Sequence, residues 1–275
     1  MTVPSVPPAL LCALEALEGM EGLTVIEGWR RYGDEYACRL RISLPIEPTD
    51  YMPATTDWYA VTDAAYPAGD LTVFPSKTGG ITATFPHQTY NSDGYGGEFG
   101  RLSWRPGNPC LTHPLAALGD ERVKEPKEVR GRLAWQMERL KRWIIAAATD
   151  RLQVAGDPFE LPQAPNKESG HELVFCEEDG GILDWSDFEP RQGVVDLLPY
   201  GRTTTRLRPV VFRDEREREL KRVPWNDLPK QFIPVTGLWL LLDRVPVERP
   251  WRLPFNWEEL LSAALGANTS LGDAS

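Results

Sequence analysis

Two side chains seven residues apart could each act as a nucleophile. In FGRLSWRPGNPC, residues 99–110, Ser103 places a hydroxyl in a short apolar run and Cys110 follows with a thiol. A serine hydroxyl is a weak nucleophile at neutral pH unless a base takes its proton, whereas a thiol of pKa about 8.5 is already partly ionised. Ser103 therefore needs a partner base. Cys110 has His113 three residues on, in PGNPCLTHP, and the two would make an activated thiol if both faced one cleft. Packed under its proline-rich loop, Cys110 would instead be a small buried hydrophobe. Cys110, His113, His171 and Cys176 are zinc-type ligands, but their spacings fit no finger pattern, and no metal is expected. The chain has no GxSxG elbow, no GxGxxG and no P-loop, so a serine hydrolase of that type and nucleotide use are not expected. No cofactor is expected either.

The elements around Ser103 must hold it at a surface. If RLSW is extended, its side chains alternate: Leu102 and Trp104 anchor one face, and Arg101 and Ser103 look outward. The preceding NSDGYGGEFG, 91–100, is a glycine-rich loop that can bend tightly. Upstream, 8–19 reads as a helix that Gly19 can stop. LTVIEGWRRYG, EYACRLRISLPI, DWYAVTD, LTVFPS and GITATFPHQ (80–88) then read as strands of an antiparallel meander packed on that helix. Downstream, 126–150 is the clearest helix, with Val129, Leu133, Met137, Leu140, Ile144 and Ala147 at a 3–4 spacing and Pro126 in its first turn. A linker is read around 162–170.

Three local features coincide in this order: Tyr66-Pro67 before a strand, FPH with Asn91 after one, and GRLSW behind the glycine-rich loop. The order resembles the ubiquitin-conjugating (E2) enzymes, and in particular the divergent bacterial E2-like proteins, over roughly residues 5–165. Those proteins carry a Tyr-Pro segment, a His-Pro-Asn-type turn and a Gly-x-Ile-Cys-Leu strand. GDPFELP, 156–162, also looks like a bacterial E2-like ending. The chain departs from the pattern at the decisive place: Ser103 stands where the family has its cysteine. The resemblance thus implies that Ser103 is the acceptor, that Cys110 has taken over, or that the site is inactive. It implies His87 as the base beside the active segment, with Asp93 and Asn91 next. Asn91 would steady the oxyanion formed when an amine attacks, although its offset from Pro86-His87 differs from the family spacing. The implied function is an acyl carrier for a ubiquitin-like protein in a bacterial conjugation pathway, with antiphage defence as the setting. The implied partners are the ubiquitin-like protein, an E1-like activating enzyme that supplies the ATP-dependent step, and a target protein. The alternative is an inactive E2 variant that serves as a binding scaffold.

A second unit, 171–265, matches no family pattern. HELVFCEE, GILDWSDF, GVVDLLPYG and TTTRLRPVVFRD read as strands there. RDERERELKR (213–222) reads as a solvated helix or loop face, TGLWLLLDRV (236–245) as a buried strand or short helix, and WEELLSAAL as a last helix. In the scaffold alternative Trp225, Trp239, Trp251 and Trp257 would form an adaptor surface; otherwise they fill a second core. Residues 266–275 read as a disordered tail. The fold class expected is α+β: an E2-like meander sheet with flanking helices, plus a smaller α+β or mainly β unit.

Composition agrees with these limits. The chain has 275 residues, 41% hydrophobic and 25% charged, as folded soluble domains do. A net charge of -10 argues against a broad nucleic-acid surface. No stretch approaches the ~20 apolar residues that span a bilayer, and the start lacks a signal peptide's basic residues, so a cytoplasmic protein without membrane partners is expected. Cys12, Cys38, Cys110 and Cys176 follow no framework spacing and are expected to be reduced.

Overall fold

A computed structural model describes residues 6–91, 98–119, 124–154, 172–173, 191–200, 206–225, 228, 233–241, 247, 250–253, 258–260 and 262. The chain divides into two compact units, Met1–Pro165 with Val247–Leu253, and Asn166–Pro246 with Pro254–Ser275.

The first unit is built on an antiparallel meander of four strands in chain order: β1 (Leu23–Tyr32), β2 (Glu35–Ser43), β3 (Thr55–Asp63) and β4 (Leu71–Pro75). The expected fifth strand over 80–88 is absent. That segment is irregular, because side chains rather than a neighbouring strand satisfy its backbone. Asn91 Nδ2 donates to the carbonyls of Ile81 (2.9 Å) and Ala83 (3.0 Å), and the Phe85 amide donates to Gln88 Oε1 (2.9 Å).

Alternation along β2 and β3 sends side chains to two cores. Cys38, Leu40, Ile42, Trp58 and Ala60 join the larger one, beneath the helices. Ala37, Tyr59 and Val61 join a smaller one with Trp104. This explains why Thr56–Thr62 of β3 are all buried. Two helices close the larger core. The first, α1 (Pro8–Glu15), buries Leu10 and Ala13; a turn then carries the chain to Gly19, whose φ of 80° favours glycine. The second, α2 (Val129–Ala148), buries Leu133, Met137, Leu140 and Ile144 of the apolar stripe read from the sequence, and Trp143 beside them. It starts three residues after Pro126. Its first turn is met by Tyr66, whose hydroxyl donates to the Val129 carbonyl (2.8 Å) and accepts from the Leu133 amide (3.2 Å). Trp58 and Trp143 pack edge to face at 6.2 Å across the centre.

The second unit holds a sheet in the order β5 (Glu172–Leu173), β7 (Arg206–Arg213), β6 (Gln192–Pro199), β9 (Val235–Leu240), with β8 (Glu219–Arg222) also paired to β7. Pairing is antiparallel except between β5 and β7. Two sequence expectations are corrected here. The charged run 213–222 ends in a strand, because Leu220 packs toward Val195, Phe212 and Trp239 while its charged neighbours stay outward. Over its described residues the segment expected at 236–245 is a strand, as one alternative had it, but not a buried one: β9 buries only Trp239 among its residues, with Leu238 76% exposed. Trp225 and Trp239 pack into the second unit's apolar clusters, Trp251 belongs to the first unit, and Trp257, GILDWSDF, Cys176, His171, most of WEELLSAAL, the linker and the tail lie outside the described residues.

Candidate functional site

Ser103 is fixed from both sides of the chain. A 3₁₀ turn over Glu98–Arg101 leads into it, and an antiparallel bridge, Ser76 to Trp104, follows. Flanking that bridge, the Lys77 amide donates to the Ser103 carbonyl (2.9 Å) and the Arg105 amide donates to the Pro75 carbonyl (2.8 Å). The extended piece is therefore one bridge long, laid along the end of β4. The alternation is as the sequence suggests: Arg101 and Ser103 are exposed, Leu102 is half-buried, and Trp104 is buried at 1% exposure. Lys77 reinforces the turn, with Nζ donating to the Phe99 carbonyl (2.7 Å).

Trp104 supplies the anchor. Its ring meets Tyr59 and Tyr32, each at 5.2 Å, and Phe74 at 6.3 Å, on the sheet face opposite the helices. Aromatic groupings of this kind add to the stabilisation that burial alone gives. Ser103 thus stands exposed at the rim of an aromatic platform that Trp104 and Tyr59 share. Burial pushes the Tyr59 phenol above its ordinary pKa.

The other candidates occupy different positions. His87 is 3% exposed, at the centre of a turn with φ 57°, and its carbonyl accepts from the Cys110 amide (2.8 Å). Asn91 is also buried, with both amide protons committed to Ile81 and Ala83. Its flank is closed by Gly107, where an added Cβ would collide with the Asn91 side chain. Replacing Gly107 by alanine should therefore lower stability by about 1–3 kcal/mol, the usual cost of overpacking, read as a lower urea midpoint; an unchanged midpoint would show that Asn91 can step aside. Cys110 is half-buried and packs against the larger core, while His113 is exposed. Asp93 lies outside the described residues. The structure therefore links His87 to Cys110 through the backbone and sets Ser103 beside Tyr59. Cys12, Cys38 and Cys110 are free thiols, and burial holds that of Cys38 well above its ordinary pKa, which removes it as a nucleophile.

A cavity of about 440 Å³ opens elsewhere in the first unit, between Tyr51, Phe85, Ala147, Asp150 and Trp251. Ser103, His87, Asn91 and Cys110 do not line it. The chemistry available at Ser103 is that of an open surface. Among the described residues no helix is long and apolar enough to cross a membrane, and no group of acids, histidines and cysteines is arranged to hold a metal ion.

Tyr59 is the residue that the sequence reading missed. The signal lay in DWYAVTD: alternation puts Tyr59 opposite Trp58, on the face to which Trp104 also turns.

Residues 150–274 match the family described as the Cap2 central linker domain. The whole chain is similar to the ATP-dependent ubiquitin transferase-like protein Cap2 of Enterobacter hormaechei subsp. hoffmannii (strain UCI 50), at 28% identity over 276 residues and 98% of this chain. The match covers 45% of that relative, so the chain spans a little under half of its length.

Proposed function

We propose that this chain is an E2-like acyl carrier in a bacterial ubiquitin-like conjugation pathway, and that Ser103 accepts the acyl group as an oxyester. An E1-like partner would spend the ATP, activate the C-terminus of a ubiquitin-like protein and deliver it to Ser103. A target amine or hydroxyl would then take it. What supports this reading is an exposed hydroxyl beside an aromatic platform, in a segment that resembles the one where E2-like sequences keep their sulfur. Similarity to a ubiquitin transferase-like protein along the chain supports it. An open rim suits the reaction, because both the donor and the acceptor are the size of proteins. His87 and Asn91 act here by shaping the turn, Asp93 is the carboxylate left to serve as base, and Cys110 is the alternative acceptor.

The test is the adduct. The protein is mixed with ATP, a ubiquitin-like protein and an E1-like enzyme, and intact mass is recorded. An adduct that survives reductant, breaks in hydroxide, vanishes in Ser103→Ala and persists in Cys110→Ala is expected. A reductant-sensitive adduct lost in Cys110→Ala would move the acceptor to the thiol. One observation favours a second reading, the binding scaffold: the His87 imidazole is buried. Tight binding of the ubiquitin-like protein with no adduct would establish that reading instead.

A further inference from the structure

The cavity of about 440 Å³ in the first unit has walls that are fixed before any ligand arrives. Its volume lies within the roughly 300–1,000 Å³ of small-molecule sites. Phe85, Leu152 and Trp251 give it a buried apolar floor. Trp143 backs the Phe85 ring, edge to face at 5.6 Å. One wall is the loop between β2 and β3. There Thr49 Oγ1 accepts from the Met52 amide (2.9 Å), the Thr49 amide donates to the Met52 carbonyl (3.0 Å), and Met52 is fully buried. That turn holds Asp50 and Tyr51 at the mouth, where both are exposed. Another wall is the end of α2 with Asp150, which the Arg151 amide closes by donating to the Ala146 carbonyl (2.8 Å).

The charges around this space all have one sign. Its described lining residues include the carboxylates of Asp50 and Asp150 and no lysine, arginine or histidine. Among the described residues neither carboxylate is ion-paired. The carbonyl end of α2 is the negative end of the helix dipole, and its last turn carries no basic side chain to offset it. Tyr51, Phe85 and Trp251 add aromatic rings, whose faces attract cations. We propose that this cavity is a binding site for an organic cation, a primary ammonium or guanidinium group on a short apolar stem. The stem lies on the apolar floor and the cationic head sits at the carboxylate-bearing mouth. An anion would be repelled there. A metal ion would find no group of acids, histidines and cysteines arranged to hold it among the described residues. A free amine and a basic side chain of another protein share this chemistry. The site stands apart from the carrier reading, because nothing in it depends on Ser103.

The test titrates the full chain with butylguanidinium, butylammonium and butylurea, and follows the ligand methylenes by saturation-transfer NMR. Butylurea has the shape of butylguanidinium without its charge. Both cations should bind saturably, and butylurea at least about fivefold more weakly than butylguanidinium, the worth of one exposed ion pair. Affinity for the cations should fall as salt is raised. Asp50→Asn and Asp150→Asn should each weaken butylguanidinium by about two- to fivefold, and the double variant by roughly tenfold, since separate sites add. Asparagine suits position 150, whose φ of 55° it tolerates, and both side chains are exposed, so the fold should survive; circular dichroism checks it. Tyr51→Ala should cost about two- to fivefold through the lost ring. Equal binding of butylurea and butylguanidinium, or unchanged cation affinity in the double variant, would overturn the proposal. So would the lack of saturable binding up to roughly 10 mM, weaker than a millimolar site. A last arm separates the two sources by titrating the capped peptide acetyl-Gly-Arg-Gly-amide. Binding at least as tight as that of butylguanidinium supports the site with a protein side chain as its ligand; binding of the free cations alone supports it with a small amine. No ATP, partner or acyl loading is used, so failure of the carrier leaves this result untouched, and the reverse holds.

Discussion

Replacing Trp104 by alanine should cost the protein about 3–5 kcal/mol of stability, the range for deleting a buried tryptophan, and should also abolish acyl loading at Ser103. Two effects combine. The indole is 1% exposed and holds together Tyr32, Tyr59 and Phe74, which come from three different strands. Without it the smaller core has no centre, and a cavity remains that a thin layer on a rigid sheet cannot collapse to fill. The second effect is local. Only the bridge to Ser76 and its two flanking hydrogen bonds would still tie Ser103 to the sheet, and solvent competes with those. Urea unfolding followed by circular dichroism gives the first effect; intact-mass detection of the adduct gives the second. Trp239→Ala is the control. It removes a buried indole from the second unit and should lower stability without touching loading. A Trp104→Ala protein that still loads Ser103 at the wild-type rate would show that the aromatic platform does not position the hydroxyl.

The parts of this arrangement readable from sequence are those governed by local periodicity. Leu133, Met137, Leu140 and Ile144 mark the buried stripe of α2 because one helix face meets one core. The outward turn of Ser103 follows from its alternation with Leu102 and Trp104. What local pattern could not show depends on distant partners. GITATFPHQ has a strand's composition, but the amide of Asn91, further along the chain, takes the carbonyls a strand would have used. Helix α2 starts late because Tyr66, far upstream, occupies its first turn. The exposed charges of RDERERELKR hide one inward Leu220, and a single apolar residue is too little to reveal a strand. Tyr59 belongs to the same class: its ring is an ordinary core residue of β3, and only the return of the chain along the end of β4 brings Trp104 to it.

Asp57 should produce the second large effect, and one with a pH signature. Its side chain is 1% exposed, and it accepts from Arg39 (2.6 Å) and from Arg41 (2.7 and 3.0 Å) on β2. Its backbone closes the loop that carries Lys77: the Asp57 amide donates to the Gly79 carbonyl and its carbonyl accepts from the Ser76 amide, both at 2.9 Å. One carboxylate therefore joins the β2–β3 pair to the segment on which Ser103 is hung. Burial by itself would raise this carboxyl, but the hydrogen bonds and charges of Arg41 and Arg39 outweigh it and hold Asp57 below its ordinary value. Asp57→Asn should cost about 3 kcal/mol at pH 7, the lower end for breaking a buried ion pair, because the arginines remain free to be hydrated. The sign of the pH dependence follows from the depressed pKa. The charged form stabilises the fold, and the contribution is complete above the unfolded carboxyl pKa of about 3.9. It is lost as pH falls through the lower, folded value. The stability gap between wild type and Asp57→Asn should thus be constant from pH 7 to about 5 and narrow below about pH 4, as acid protonates the wild-type side chain. Urea midpoints measured across that range test it. A gap that widened in acid would mean that burial, not the two arginines, governs this carboxylate, and that the sheet is held to the Ser103 segment by its backbone alone.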